Sequence, residues 1–327
     1  MKNFYNAIQS SIYFLMKYLF GPVNSRRLGL SLGIDLVPAK ICNFNCIYCE
    51  VGPTTVFTCD RKEYTPTADI IEEIDNFLAT VNPSRPVDVF TITGSGEPTL
   101  HTGLTEIIRH LKDKTGKPVA VLTNGSLLHL KEVREALRDA DIVIPSLDAA
   151  REESFRKINR PSQCARLKEI IDGLSLFCAE FKGKLWLEIL LAKDINDSPE
   201  DITALQEALG RIKPAKIQLN TVVRPPLESF ARALTEKELN DIGCQLPGKV
   251  EIIADFHKRE RTDVQPAKKT ELLEMLKRRP CTEADICEAL NLDDKSTAKL
   301  IHLLKKSGEI IQTVHQGKNY YQTLQTS

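Results

Sequence analysis

What this 327-residue chain lacks narrows it first. It has no net charge, 44 Lys and Arg facing 44 Asp and Glu, so no global field draws it to nucleic acid or to an anionic membrane. It has no internal repeat and no low-complexity tract. It has no apolar run of bilayer length: the N-terminal stretch MKNFYNAIQSSIYFLMKYLF is too short and is broken by Lys17. That stretch also lacks the basic region and small-residue cleavage site of a signal peptide. Residues 1–20 are therefore expected to form an amphipathic helical extension packed on the protein, a membrane-surface role being the alternative. The chain is read as cytoplasmic.

A fourth cysteine is also missing where chemistry would look for one. Residues Cys42 to Glu50 read CNFNCIYCE, with the cysteines spaced C-x3-C-x2-C and Tyr48 just before the last. A closed structural zinc site wants four ligands, and a disulfide framework wants pairs. In a reducing compartment clustered cysteines are metal-binding or catalytic more often than disulfide-bonded. The others, Cys59, Cys164, Cys178, Cys244, Cys281 and Cys287, are scattered and read mostly as small buried hydrophobes. Three thiolates on a [4Fe–4S] cubane leave one iron free for a non-protein ligand. Zinc held by Cys42, Cys46, Cys49 and a remote fourth ligand, Cys59 or a histidine, stays open at this point, as does a chance cluster in a loop.

From about residue 30 to 255 short apolar runs alternate with amphipathic stretches. The strand-like runs are LSLGIDLV (30–37), VDVFTIT (87–93), PVAVLTN (118–124), DIVIPSLD (141–148), KLWLEILLA (184–192) and KIQLNTVV (216–223). They are rich in Val, Ile and Leu, as strands buried on both faces should be. Between them, TADIIEEIDNFL, TGLTEIIRHLKD, HLKEVREALRDA, ARLKEIIDGLSLFCAEF and PEDITALQEALGRI carry helical spacing, the first behind Thr67 as a cap. Six successive β-then-α units predict a parallel sheet with right-handed crossovers. Residues 257–269 are polar and charged and read as a linker. Beyond them ELLEMLKRR, TEADICEAL and KSTAKLIHLLKKSG predict three helices, and EIIQTV and NYYQTL a strand pair, the order of a winged helix-turn-helix.

The cysteine stretch resembles the signature of the radical S-adenosylmethionine (SAM) superfamily. The likeness extends over residues 21–256 through GPVNSRRLGLSLGIDLVP, GSGEPTL, TNGSLL, SLDA, FRKINRP and LLAKDINDS. This set is similar to the Fe–S oxidoreductases related to the wybutosine tRNA-modifying enzymes. The resemblance implies an α/β fold, a partial (β/α)6 TIM-like barrel, with the functional loops at the C-terminal ends of its strands. It implies that Cys42, Cys46 and Cys49 bind a [4Fe–4S] cluster whose fourth iron is chelated by the methionine group of SAM. Gly94, Gly96 and Glu97 would receive the SAM amino group. Asn124, Ser146 and Asp148 are candidates for its carboxylate and ribose, and Tyr48 would lie near the adenine. Glu188, Asn196 and Arg160 are further candidates, and Arg26 and Arg27 fit barrel-closing ion pairs. Asn220 and Arg224 end the sixth run at the same side. Reductive cleavage of SAM would then give a 5′-deoxyadenosyl radical that abstracts hydrogen from a substrate. An electron donor such as flavodoxin or ferredoxin is implied.

The winged helix at 270–327 adds a substrate or partner module. Lys295, Lys299 and His302 share one stripe of its third helix, with Lys305 and Lys306 nearby and Lys318 at the wing tip. RNA or DNA, a peptide or protein, and plain solvent all suit that face. An RNA base is the leading substrate class. Peptide modification or glycyl-radical activation is the second enzyme reading, and an Fe–S sensor with a DNA-binding winged helix is the non-enzyme one. No cysteine precedes Cys42 to hold a second cluster, and the pair Cys281 and Cys287 is a weak basis for one.

Overall fold

The computed structural model describes residues 16–25, 27–38, 40–80, 87–254, 269–290 and 292–323. The chain opens with β1 (Leu19–Ser25), antiparallel to β2 (Gly29–Ile34). A short parallel pair, β3 (Ile41–Cys42) and β4 (Val56–Phe57), stands apart from the main sheet. Then come β5 (Val89–Ile92), β6 (Val119–Thr123), β7 (Ile142–Pro145), β8 (Lys184–Leu191), β9 (Lys216–Thr221) and β10 (Val250–Ile252). All of these pair in parallel, giving an eight-stranded sheet in the order β1-β2-β5-β6-β7-β8-β9-β10. The six apolar runs of the sequence are β2 and β5 to β9. The two edges, β1 and β10, carry no such run: β1 contains Gly21 and Pro22, and β10 is a three-residue strand with Glu251 exposed and its neighbours half-buried.

The helical extension expected over residues 1–20 lies, for residues 1–15, outside the described residues. Residues 16–18 are not helical, and Leu19 and Phe20 begin a strand.

Helices follow the strands and bury one stripe each against the sheet. Leu104–Thr115 buries Leu104, Ile107, Ile108 and Leu111 and stops at Gly116, whose φ of 61° suits glycine at a helix end. Pro199–Ile212 starts behind Ser198, whose hydroxyl accepts from the Asp201 amide, with proline at its first position. Each fully buried Leu or Ile of these stripes contributes roughly 1.5–3 kcal/mol of transfer free energy. Thr67 is not the cap of its helix but its first residue, and the Glu63 carboxylate accepts from its amide at 2.6 Å.

The sheet is curled rather than flat. Arg27, in the turn between β1 and β2, donates to Glu188 of β8 at 2.5 Å and to Gln218 of β9 at 2.8 Å. Side chains from strands this far apart in the sheet order meet only if the sheet wraps around an interior. Arg27 is thus the barrel-closing ion pair the sequence suggested. Arg26 lies outside the described residues.

The C-terminal unit has a second core of Leu272, Leu276, Ile286, Ile301, Leu304 and Tyr321. Its helices Lys269–Arg278, Glu283–Leu290 and Asp294–Lys306 pack with β11 (Cys281–Thr282), β12 (Ile310–His315) and β13 (Lys318–Thr323) in the sheet order β11-β13-β12. No described helix is long and apolar enough to cross a membrane.

Candidate functional site

The three clustered cysteines occupy the loop that leaves β2 and passes through β3. Asn45 and Ile47 donate their amides to the carbonyls of Asn159 and Ile158, and the Ser162 amide to that of Asn43. This pairing clamps the cysteine loop on the FRKINRP segment. Each of the three sulfurs faces an N–H donor. Cys42 Sγ accepts from the Phe44 amide at 3.4 Å, with Asn124 Nδ2 at 3.8 Å; Cys46 Sγ accepts from Asn159 Nδ2 at 3.5 Å; Cys49 Sγ accepts from the buried Lys40 ammonium at 2.7 Å.

Other free cysteines have the opposite surroundings. The sulfurs of Cys178 and Cys281 donate to the carbonyls of Lys213 and Arg279, and that of Cys287 to the Asp294 carboxylate. Acceptors favour the protonated thiol, whereas N–H donors favour a thiolate or a metal-bound sulfur. Without a cation, burial and then the Glu97 charge push the Cys42 thiol up to about 12, and burial raises Cys46 as well. Among the described residues no three His, Cys, Asp or Glu side chains converge on a single metal ion. Thiolates that each serve a different iron of a cluster stand further apart than ligands of one ion. Cys59, the fourth zinc ligand considered from the sequence, is joined to Cys164 in a disulfide. That pair, and exposed Cys244, correct the reading of the scattered cysteines as mostly buried.

Glu97 is buried, and its carboxylate is committed to its own chain. Oε1 accepts from the Thr99 amide at 3.0 Å, the Thr99 hydroxyl at 2.6 Å and the Thr123 hydroxyl at 2.6 Å; Oε2 accepts from the Asn124 amide at 2.7 Å. Burial raises its pKa, and these bonds pull the other way. Gly96 fits because a Cβ there would lie 2.0 Å from the Ile41 carbonyl oxygen. Its glycine requirement is chain-on-chain packing against the cysteine loop. Gly94 has a φ of 147°, and its Cβ would overlap the Asp35 carboxyl group.

Asp148, three residues beyond the end of β7, sits in a similar network. Its Oδ2 accepts from the Tyr48 hydroxyl and from Asn159 Nδ2, both at 2.6 Å, and its Oδ1 from the Leu190 amide at 2.9 Å. Burial lifts its carboxyl to about 6, the Tyr48 bond opposing. Tyr48 is pushed well above its ordinary value, by burial first and then by Asp148. Tyr48, Asn124, Ser146 and Asp148 line one small cavity of about 10 Å³, room for a single water.

A second cavity of about 1250 Å³ lies against Tyr48, Cys49, Gly94, Glu188, Asn220 and Arg224. Its opposite wall belongs to the C-terminal unit. Glu188 is spent on Arg27 and on Asn220 Nδ2, the latter at 3.0 Å. Asn196 is fully buried and donates to the carbonyls of Asp148 and Leu190. Arg160 pairs with Glu228 at 2.5 Å on a partly exposed face. The structure therefore gathers Tyr48, Asn124, Ser146 and Asp148 in one place, and Tyr48, Gly94 and Glu188 around the larger cavity. Gly96 and Glu97 support both from behind. Sequence reasoning missed Lys40, Asn159 and Asp35. Asn159 stood within the FRKINRP match and Asp35 within GPVNSRRLGLSLGIDLVP, the one available signal; Lys40 had none.

The fold and the site define an enzyme built on a cysteine-loop α/β barrel. The chain belongs to the radical SAM superfamily, whose family profile matches residues 36–205. It is 31% identical over 311 residues to a UPF0026 protein of Methanocaldococcus jannaschii, covering 94% of this chain and 96% of that one. It is 35% identical over 307 residues, 92% of this chain, to a protein of Brachyspira hyodysenteriae named GTPase Obg, and spans only 44% of that relative. Among solved structures it matches TYW1 bearing a lysine–pyruvate adduct, with a TM-score of 0.50 over 69% of this chain and 74% of that one. The identity there is 20%, a likeness of fold.

Proposed function

We propose that Cys42, Cys46 and Cys49 hold a [4Fe–4S] cluster at which SAM is cleaved reductively, and that the substrate occupies the cavity between the barrel and the C-terminal unit. The observation that carries this reading is the N–H donor at each of these three sulfurs, set against the oxygen acceptors at Cys178, Cys281 and Cys287. When bound, the cluster supplies the electron that splits SAM into methionine and a 5′-deoxyadenosyl radical.

The chain's own residues bind and orient. Lys40, Asn124 and Asn159 offset the charge of the thiolates. Glu97 and Gly96 fix the loop that carries Gly94 against the cysteine loop. The Tyr48–Asp148–Asn159 network holds the rim on which SAM's carboxylate, ribose and adenine would lie. An external electron donor completes the cycle.

An RNA base remains the proposed substrate class, with peptide modification second. The sensor reading is disfavoured by the wing. His315, Gln316 and Tyr320 donate to the carbonyls of Val222 and Val223, and Lys318 lines the cavity. A wing spent on its own barrel does not offer its tip to DNA. The test is anaerobic reconstitution of the cluster followed by SAM and dithionite. Release of 5′-deoxyadenosine and methionine is expected, and a fully loaded protein that releases neither refutes the proposal. Comparing tRNA nucleosides and tryptic peptides of deletion and parent strains then separates the substrate classes.

A further inference from the structure

Among the described residues the C-terminal unit packs on β1, where Val23 joins its core, and three charged or polar features link it to the loops around the site. The first is Arg278, the last residue of the helix Lys269–Arg278. Its Nε stands 3.9 Å from Asp35 Oδ2, both side chains being about nine-tenths buried at 11% and 8% exposure. Its guanidinium lies 4.8 Å from the Phe20 ring centroid, and Nη2 donates to the Lys17 carbonyl at 3.1 Å. The second is Arg224, 2.9 Å from Glu50, the residue after Cys49. Asp285 of the C-terminal unit acts on the same guanidinium. The third is the β12–β13 hairpin, through Tyr320, Gln316 and His315 on Val222 and Val223.

Asp35 is where the first contact reaches the site. Its Oδ2 also accepts from the Ser95 amide at 3.0 Å and the Ser95 hydroxyl at 2.6 Å. Its carboxyl group fills the space a Gly94 side chain would need. One carboxylate oxygen thus serves both Arg278 and the loop between β5 and Glu97. A carboxylate this buried needs its cation to stay in place, and removing one partner of such a pair leaves an uncompensated charge.

We infer that the C-terminal unit is the closing wall of the catalytic cavity, and that Arg278 is a positioning residue that sets the Gly94–Glu97 loop through Asp35. The inference rests on the SAM site proposed above. It makes the unit part of the SAM machinery rather than an appended recognition domain. Lysine at 278 keeps the charge but lacks the planar fork that serves Asp35, the Lys17 carbonyl and the Phe20 face together.

The test uses the full-length chain with Arg278→Met, Arg278→Lys and, as a control on the exposed helix face, Lys306→Met. Hydrogen exchange in the metal-free protein reads the coupling without any catalysis. The Arg278→Met variant is expected to speed exchange at Ser95 and Glu97 about tenfold, Arg278→Lys less, and Lys306→Met not at all. In reconstituted protein Arg278→Met is expected to raise the KM for SAM about tenfold with iron content unchanged, and Arg278→Lys to recover part of the loss. Unchanged exchange in the Gly94–Glu97 loop overturns the inference. So does an unchanged KM for SAM beside a general loss of stability, which would make Arg278 merely structural. If the parent protein fails to cleave SAM, the proposed function falls, while the exchange measurement still decides whether Arg278 sets the loop. Should Arg278→Met not fold, Arg278→Lys carries both measurements.

Discussion

Replacing Glu97 by Gln separates an internal role for this carboxylate from a ligand-facing one. In the structure its Oε1 accepts three hydrogen bonds and its Oε2 one. A glutamine has one acceptor oxygen. Placed to keep the Thr99 and Thr123 bonds, it turns its amide nitrogen toward the Asn124 N–H, donor against donor. The partly buried amide of Asn124 then loses a charge-assisted bond and gains nothing, which costs roughly 1.5–3 kcal/mol. Losing the charge relieves some burial penalty, so a net destabilisation of about 2 kcal/mol is expected. Denaturant unfolding of the metal-free protein at neutral pH measures it, with the dependence on denaturant concentration unchanged. SAM affinity, measured in reconstituted protein, should fall as a consequence of the shifted loop. A Glu97→Gln protein as stable as its parent, to within about 0.5 kcal/mol, that nevertheless binds SAM poorly would refute this reasoning. It would mean that the carboxylate faces the ligand, as the family resemblance implied, and that the four internal bonds are not what keeps it.

Three further outcomes are expected. Cys46→Ala should abolish iron loading on reconstitution, whereas Cys281→Ala, whose sulfur donates to a carbonyl oxygen, should load iron like the parent; chemical iron and sulfide analysis distinguishes them. In the metal-free protein Asp148, raised from 3.8 to about 6, favours the fold when protonated, so its contribution is present at low pH and lost as pH rises through about 6. Relative to Asp148→Asn, the parent should lose roughly 1.3 kcal/mol of unfolding free energy between about pH 5 and about pH 7, and parallel curves for the two proteins would contradict this. The Cys59–Cys164 bridge spans a sequence separation of 105, so a thiol reductant should lower stability by up to about 4–5 kcal/mol, and Cys59→Ser should make stability indifferent to reductant.

The parts of this molecule that were legible in its sequence are those decided locally. Six strands could be read because burial on both faces forces unbroken runs of Val, Ile and Leu, as in VFTI of β5, where every residue is buried. The cysteine loop could be read because its chemistry depends on spacing alone. GSGEP could be placed at the site, but the reason for its glycine could not be seen. The atom that excludes a side chain at Gly96 is the Ile41 carbonyl, far away in sequence. Lys40 was silent, and Asp35 stood unremarked inside a matched stretch, for the same reason: a single charged residue gives no pattern, and only the fold supplies its partner.

The β12–β13 hairpin shows what decided the parts that were not legible. Lys318 at a hairpin tip reads equally well as facing solvent, nucleic acid or a neighbouring surface, since the local sequence is the same in each case. The choice was made at the end of β9. Beyond Thr221 the strand leaves its ladder, and the Val222 and Val223 carbonyls need donors, because buried backbone acceptors rarely remain unpaired. Tyr320 meets Val223 at 2.6 Å, and Gln316 and His315 meet Val222 at 3.2 and 3.4 Å. The next residue along the chain is Arg224, paired with Glu50 behind the third cysteine. The same short strand end therefore satisfies its own backbone, docks the C-terminal unit and braces the cysteine loop, so a change in any one of these should be felt in the other two.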